Sequence, residues 1–277
     1  PETKPYIMLA PGERVDLWLD FSGHPVGSKL VMYSLPYSGA MPPMYQKMQS
    51  SENGARMGMG GMRGGGMMGG KGKMGGMGMM GGGIAQGSKF PIARFKVTEQ
   101  VSDSPKLPKR LVNFRHLSED DVDNANNPLP IAISMKPMAP QLNGKSYSMD
   151  KVLDFERVPL GSIKKIKIFH DHGEKGGMGM MGGGMGGGMM MSMAHPIHLH
   201  GQQYQIISRK MNGMGKADYA TVKDGFIDTG WKDTVLVMPG EEIEIIKPFQ
   251  DFKGFFLYHC HNLEHEDLGM MRQFYIS

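Results

Sequence analysis

Apolar and polar residues alternate along many short runs of this chain, and almost nowhere does the apolar spacing follow a helix. In residues 6–20 (Tyr-Ile-Met-Leu-Ala-Pro-Gly-Glu-Arg-Val-Asp-Leu-Trp-Leu-Asp), Val15, Leu17 and Leu19 alternate with polar or mixed partners beyond a Pro11-Gly12 turn. That pattern predicts two short strands around the turn. Strands are also expected at 29–34, 89–98, 130–134, 163–169, 203–208, 233–238, 241–247, 255–260 and 272–276, with Pro239-Gly240 among the turns between them. No long amphipathic helix is expected. Many short strands at this spacing predict an all-β protein built as a β-sandwich.

The alternation stops in two tracts. Residues 41–83 hold 12 Met among many Gly, and residues 176–193 hold eight. Gly maximises backbone freedom and Met adds a soft thioether. Such segments bury too little surface to offset the entropy of ordering them, so both are expected to be disordered insertions. Thioethers also select Cu(I) over harder ions, so the tracts are candidate Cu(I) traps.

Composition narrows the classes. The 277 residues allow one large domain or two ordinary ones, and 40% hydrophobic content supports a core. A net charge of +4, spread evenly, argues against a nucleic-acid partner. No run is long and apolar enough to span a membrane, and no leader peptide is seen. The chain opens on Pro1, as expected after processing or for a piece of something longer. The single cysteine, Cys260, permits no internal disulfide. A lone Cys is most often a small buried hydrophobe, and here its neighbours change that reading.

Of ten His, six lie in two motifs: His195-Pro196-Ile197-His198-Leu199-His200-Gly201, and His259-Cys260-His261 followed by His265 and Met270. Side chains alternate faces along a strand. His198 and His200 therefore share a face, as do His259 and His261, with Cys260 opposite. Two His, a Cys and a Met form the ligand set of a blue-copper centre, and the candidates are His195, Cys260, His265 and Met270. His198, His200, His259 and His261 remain for a second metal site. Zinc and iron also accept imidazole, and the thiolate with Met is what favours copper.

HPIHLHG at 195–201 and HCHNLEHEDLGMM at 259–271 resemble the two C-terminal copper motifs of the multicopper oxidases, and GWKDTV at 230–235 resembles the segment between them. The likeness is strongest to bacterial laccase-like enzymes and to cuprous oxidases of copper detoxification, which also carry Met-rich insertions. It implies a cupredoxin-like Greek-key sandwich and four coppers per complete enzyme. His195, Cys260, His265 and Met270 would bind type 1 copper, the acceptor of electrons from Cu(I) or phenolic donors. His198 would bind type 2 copper. His200, His259 and His261 would bind the type 3 pair, and the resulting trinuclear cluster would reduce O2 to water. Glu266 matches an acidic residue that passes protons toward that cluster. The cuprous oxidases carry an acidic residue where Met191 stands here, while Met193 matches a Met near their substrate copper.

Eight His ligate the family's trinuclear cluster, and half of them come from an N-terminal domain. His24, His116, His170 and His172 are poor substitutes, and His170-Asp171-His172 reads as a chance His-x-His. The expected organisation is therefore the C-terminal part of cupredoxin domain 2 at 1–104, a linker at 105–128, and cupredoxin domain 3 at 129–277. The N-terminal cupredoxin half is then an expected partner, as cleaved chain or same polypeptide, and the location implied is periplasmic or secreted. Two other classes compete with an oxidase: a simple blue-copper electron carrier and a copper-sequestering protein. The carrier, like a copper nitrite reductase, has no need of His on both sides of Cys260.

Overall fold

The computed structural model describes residues 1–42, 88–102, 105–136, 139–170, 193–212 and 215–277. The Met/Gly tracts expected at 41–83 and 176–193 lie outside these residues except at their margins, as do Met191 and His172.

Strands β1 (Lys29–Ser34) and β2 (Phe90–Lys96) form a two-stranded antiparallel sheet in which Lys29 pairs with Lys96 and Ser34 with Phe90. The remaining strands form two five-stranded sheets. One has the order β4-β3-β6-β10-β8, from β3 (Leu129–Lys136), β4 (Ala139–Leu142), β6 (Ser162–His170), β8 (Gln205–Met211) and β10 (Glu241–Phe249). The other has the order β5-β12-β11-β7-β9, from β5 (Arg157–Val158), β7 (His195–Leu199), β9 (Thr234–Val237), β11 (Gly254–Cys260) and β12 (Met271–Ile276). Strands adjacent in space are often distant in sequence, and β3–β6 and β5–β12 run parallel. This is a cupredoxin-like β-sandwich.

The core lies between the sheets. Ile131, Ile133, Ile166, Ile168, Ile243 and Ile245 face Ile197, Leu199, Val235, Val237, Tyr258 and Phe274, all fully or almost fully buried. The spacing of two within each set is the strand alternation read from the sequence. Each such side chain contributes roughly 1.5–3 kcal/mol by leaving water. Cys260 belongs to this cluster, between the sheets.

Helix is scarce among the described residues. The two α-helices, α1 (Lys216–Ala220) and α2 (Leu263–Asp267), have five residues each. None is long and apolar enough to cross a membrane.

One expectation fails. Residues 6–20 contain the Pro11-Gly12 turn but no strand. A strand needs a ladder partner, and this segment's backbone bonds go elsewhere. The Met8 N–H donates to Gly225 O, and the Ala10 N–H donates to the Glu13 carboxylate. Leu17 and Leu19 alternate in sequence yet stay exposed. The segment is an irregular strap whose Met8 and Ala10 pack with Val222, Phe226, Leu236 and Met238 of the sandwich.

Candidate metal centre

Register builds the centre. Strand β11 pairs with β7 so that His259 lies opposite His198 and Cys260 opposite Ile197. Strand β7 pairs with β9 so that His198 lies opposite Thr234 and His195 opposite Val237. An odd separation along a strand reverses the face. His195 and His198, three apart on β7, therefore point to opposite sides, as do His259 and Cys260 on β11.

On the core side, Cys260 Sγ lies 3.5 Å from His195 Nδ1 and 3.6 Å from His265 Nδ1. The three donor atoms form one group that suits a metal ion. Donor separations of this size are those of atoms sharing one ion at roughly 2.0–2.3 Å. The rings of His195 and His265 lie 4.9 Å apart. Helix α2 presents His265, and its first turn follows Asn262, whose carbonyl accepts from the His265 N–H. Met270 is fully buried in the same cluster as Cys260, and its carbonyl accepts the Cys260 N–H at 3.1 Å. The chain thus folds back over the thiol between Cys260 and Met270. Met193 is buried just ahead of His195.

Burial sets the protonation states here. It holds His195 well below its ordinary value, helped by nearby His170 and His265, and it lowers His265. It pushes the Cys260 thiol up to about 12. Neutral imidazoles with free lone pairs are what a metal requires, and a bound metal ion drives the thiol proton off outright. His195 Nε2 is a buried polar atom with no hydrogen-bond partner among the described residues. A buried pocket that turns two imidazole Nδ1 atoms onto one sulfur, with Met270 buried in the same core cluster, fits copper better than harder ions.

On the opposite side, four imidazoles cluster. The His198 ring lies 4.9 Å from His200, 5.3 Å from His259 and 5.6 Å from His261. His200 Nε2 and His259 Nε2 approach to 3.2 Å, and with His198 they form a second group that suits a metal ion. His261 flanks that group, 5.4 Å from the His259 ring. Burial lowers His198 to about 4, against the opposing pull of Asp233, and burial also lowers His200.

The sequence reading missed several contacts. Glu266 adjoins His265 in sequence, but its carboxylate lies 3.4 Å from His259 Nδ1. Thr234 Oγ1 lies 2.9 Å from His198 Nδ1, and the neighbouring Asp233 is gripped by Arg14. GWKDTV was legible as a motif, but nothing in its spacing showed that its Asp and Thr serve His198. Of the remaining His, the His170 ring lies 5.4 Å from that of His195, on the core side. It does not join the four-imidazole group.

A cupredoxin-like sandwich with a His2Cys pocket on one face of a strand and four imidazoles on the other defines a metal-binding protein of the copper class. The multicopper oxidase family model matches residues 186–277. A laccase of Haloferax volcanii is 42% identical over 83 residues, which is 30% of this chain and 13% of that protein. A laccase of Bacillus subtilis is 36% identical over 86 residues, 28% of this chain and 17% of that protein. A multicopper oxidase structure from Pediococcus acidilactici, 28% identical, superposes with a TM-score of 0.50 over 69% of this chain and 34% of its own. An Aquifex aeolicus multicopper oxidase variant shares the fold at 20% identity, with a TM-score of 0.58 over 94% of this chain and 43% of its own. The similarity to the multicopper oxidase family is carried by residues 186–277. The chain spans less than half the length of the relatives it matches.

Proposed function

We propose that the chain carries the electron-entry site and half of the oxygen site of an oxidase that oxidises Cu(I) or phenolic donors one electron at a time. His195, Cys260, His265 and Met270 would hold type 1 copper. His198 would hold type 2, and His200, His259 and His261 the type 3 pair, completed by four His of an N-terminal cupredoxin half. Copper in these positions would supply the one-electron chemistry needed to couple four donor oxidations to O2 + 4 H+ + 4 e− → 2 H2O.

One observation carries this reading. Cys260 turns its sulfur into the core, while His259 beside it faces the four-imidazole group. The two sites are therefore joined by a few covalent bonds of a single strand. A carrier that only shuttled electrons would have no use for the second group, and a sequestering protein would need no such wiring. Glu266 lies 3.4 Å from His259 Nδ1 with part of its side chain in solvent, which suits proton delivery to that side. The exposed Leu263 and Leu268 flank His265 in sequence and suit the approach of an organic donor. Met193, buried two positions before His195, supports a Cu(I) substrate. In this reading residues 1–104 close the preceding cupredoxin domain and 105–128 link it to the sandwich.

The test is O2 uptake by the copper-loaded, full-length protein with Cu(I) and with a phenol. Uptake with at least one donor, abolished in Cys260→Ser, is expected. No uptake with either donor would overturn the oxidase reading in favour of a copper carrier or store.

A further inference from the structure

The hydrogen bonds behind His198 have a direction, and it originates outside the sandwich. Arg14 grips Asp233 with both guanidinium nitrogens, Nη1 to Oδ1 at 2.6 Å and Nη2 to Oδ2 at 2.8 Å. Arg14 Nη1 also donates to the Gly12 carbonyl at 2.8 Å, which fixes the fork to its own turn. The Thr234 hydroxyl donates to Asp233 Oδ1 at 3.1 Å. With that hydrogen committed, Thr234 Oγ1 offers only lone pairs to His198 Nδ1, 2.9 Å away. Asp233 Oδ1, 3.8 Å from the same nitrogen, is also an acceptor. His198 Nδ1 must therefore carry the imidazole's single N–H, and the lone pair falls on Nε2.

We infer that Arg14, Asp233 and Thr234 are positioning residues that fix His198 as the tautomer presenting Nε2, so that metal capture there depends on docking of residues 6–14. The inference rests on the reading of His198 as a metal ligand. The reverse Thr234 orientation would put the proton on Nε2 and remove the ligand atom. Ligating His commonly donate their second nitrogen to such a partner. Here Asp233, which orients the Thr234 partner, is held by Arg14, 219 positions away in sequence. Three further contacts seat the strap. The Met8 N–H donates to Gly225 O, Glu13 pairs with Lys232 at 3.2 Å, and Gly12 packs against His261 so closely that a Cβ would lie 2.6 Å from its Cδ2.

The test uses the copper-loaded, full-length protein. Copper affinity is measured by chelator competition, and the non-blue copper is followed by electron paramagnetic resonance. The blue absorption at Cys260 serves as internal reference. Thr234→Val, nearly isosteric but without the acceptor, is expected to weaken the non-blue copper about ten-fold or more and to change its nitrogen hyperfine pattern, with the blue absorption intact. Thr234→Ser is expected to restore both. Arg14→Met removes a largely exposed side chain and is expected to act in the same direction. Wild-type affinity and spectrum in Thr234→Val overturn the relay, and in Arg14→Met they overturn its coupling to the strap. His198→Ala separates the two levels. If it releases non-blue copper while Thr234→Val does not, only the relay fails. If it changes nothing, the ligand reading fails and the relay with it.

Discussion

Lys247 shows how a single side chain can work against the fold that holds it. It sits on β10 with its amine buried beneath the sheet, donating to the Gln202 carbonyl. Burial lowers it to about 8 from an ordinary 10.5, against the partial compensation of Asp233 and Asp251. Below pH 8 the folded state carries the charge in a dry site while the unfolded chain carries it in water, so the cost is complete. As pH rises from 8 to 10.5 the folded amine loses its proton first, and stability rises across that window. Lys247→Met is expected to raise stability at pH 7 by on the order of 2 kcal/mol and to flatten that rise. Urea midpoints from pH 7 to pH 11 check both. Gly12 is a second point of dependence. Its φ of +84° and its contact with His261 leave no room for a side chain. Gly12→Ala is expected to cost about 1–2 kcal/mol in thermal or urea unfolding, through left-handed strain before any clash.

At the scale of elements, the sandwich was largely legible. Strands at 29–34, 163–169, 241–247 and 255–260 emerged within a residue or two of their expected ends. The strap at 6–20 misled, because alternation reports a residue's fitness for a strand, not the presence of a neighbouring strand. The two-faced character of β11 was legible from period two alone. The polar network behind it was not, because its members come from three segments. Glu156 accepts from Tyr258 Oη and from both Nε and Nη2 of Arg272, and all three side chains are buried. The network joins the turn before β5 to β11 and β12, directly behind the strand that carries Cys260. Glu156→Leu is expected to cost about 3–5 kcal/mol, because Arg272 is left charged and alone. The double variant Glu156→Leu/Arg272→Met is expected to recover much of that loss, and urea unfolding of the two reads the difference directly.

For the whole molecule, the structure brings together His195, Cys260 and His265 on one side and His198, His200 and His259 on the other, residues that the two motifs had singled out. What lay beyond reach were the contacts that orient them. Arg14 is an ordinary surface charge in sequence, Asp233 was legible only as part of GWKDTV, and Glu266 was singled out through the resemblance but without its contact to His259; only the fold brings the three to the imidazoles. The Met/Gly tracts make a prediction at this scale. Replacing the Met of residues 44–80 by Ser is expected to slow Cu(I) oxidation several-fold while leaving phenol oxidation unchanged, if thioethers gather the metal donor. Parallel O2-uptake assays with the two donors check it, and equal loss of both would point to a structural role.

The opposed faces of β11 also bear on how this protein can change over time. A strand behaves like a reading frame with a period of two. One residue gained or lost between Gly254 and Tyr258 would send the sulfur outward and the imidazole inward, disabling both halves of the chemistry together. Variation in length is therefore expected to collect in the loops, and the span from Phe255 to His261 to tolerate substitution but not insertion.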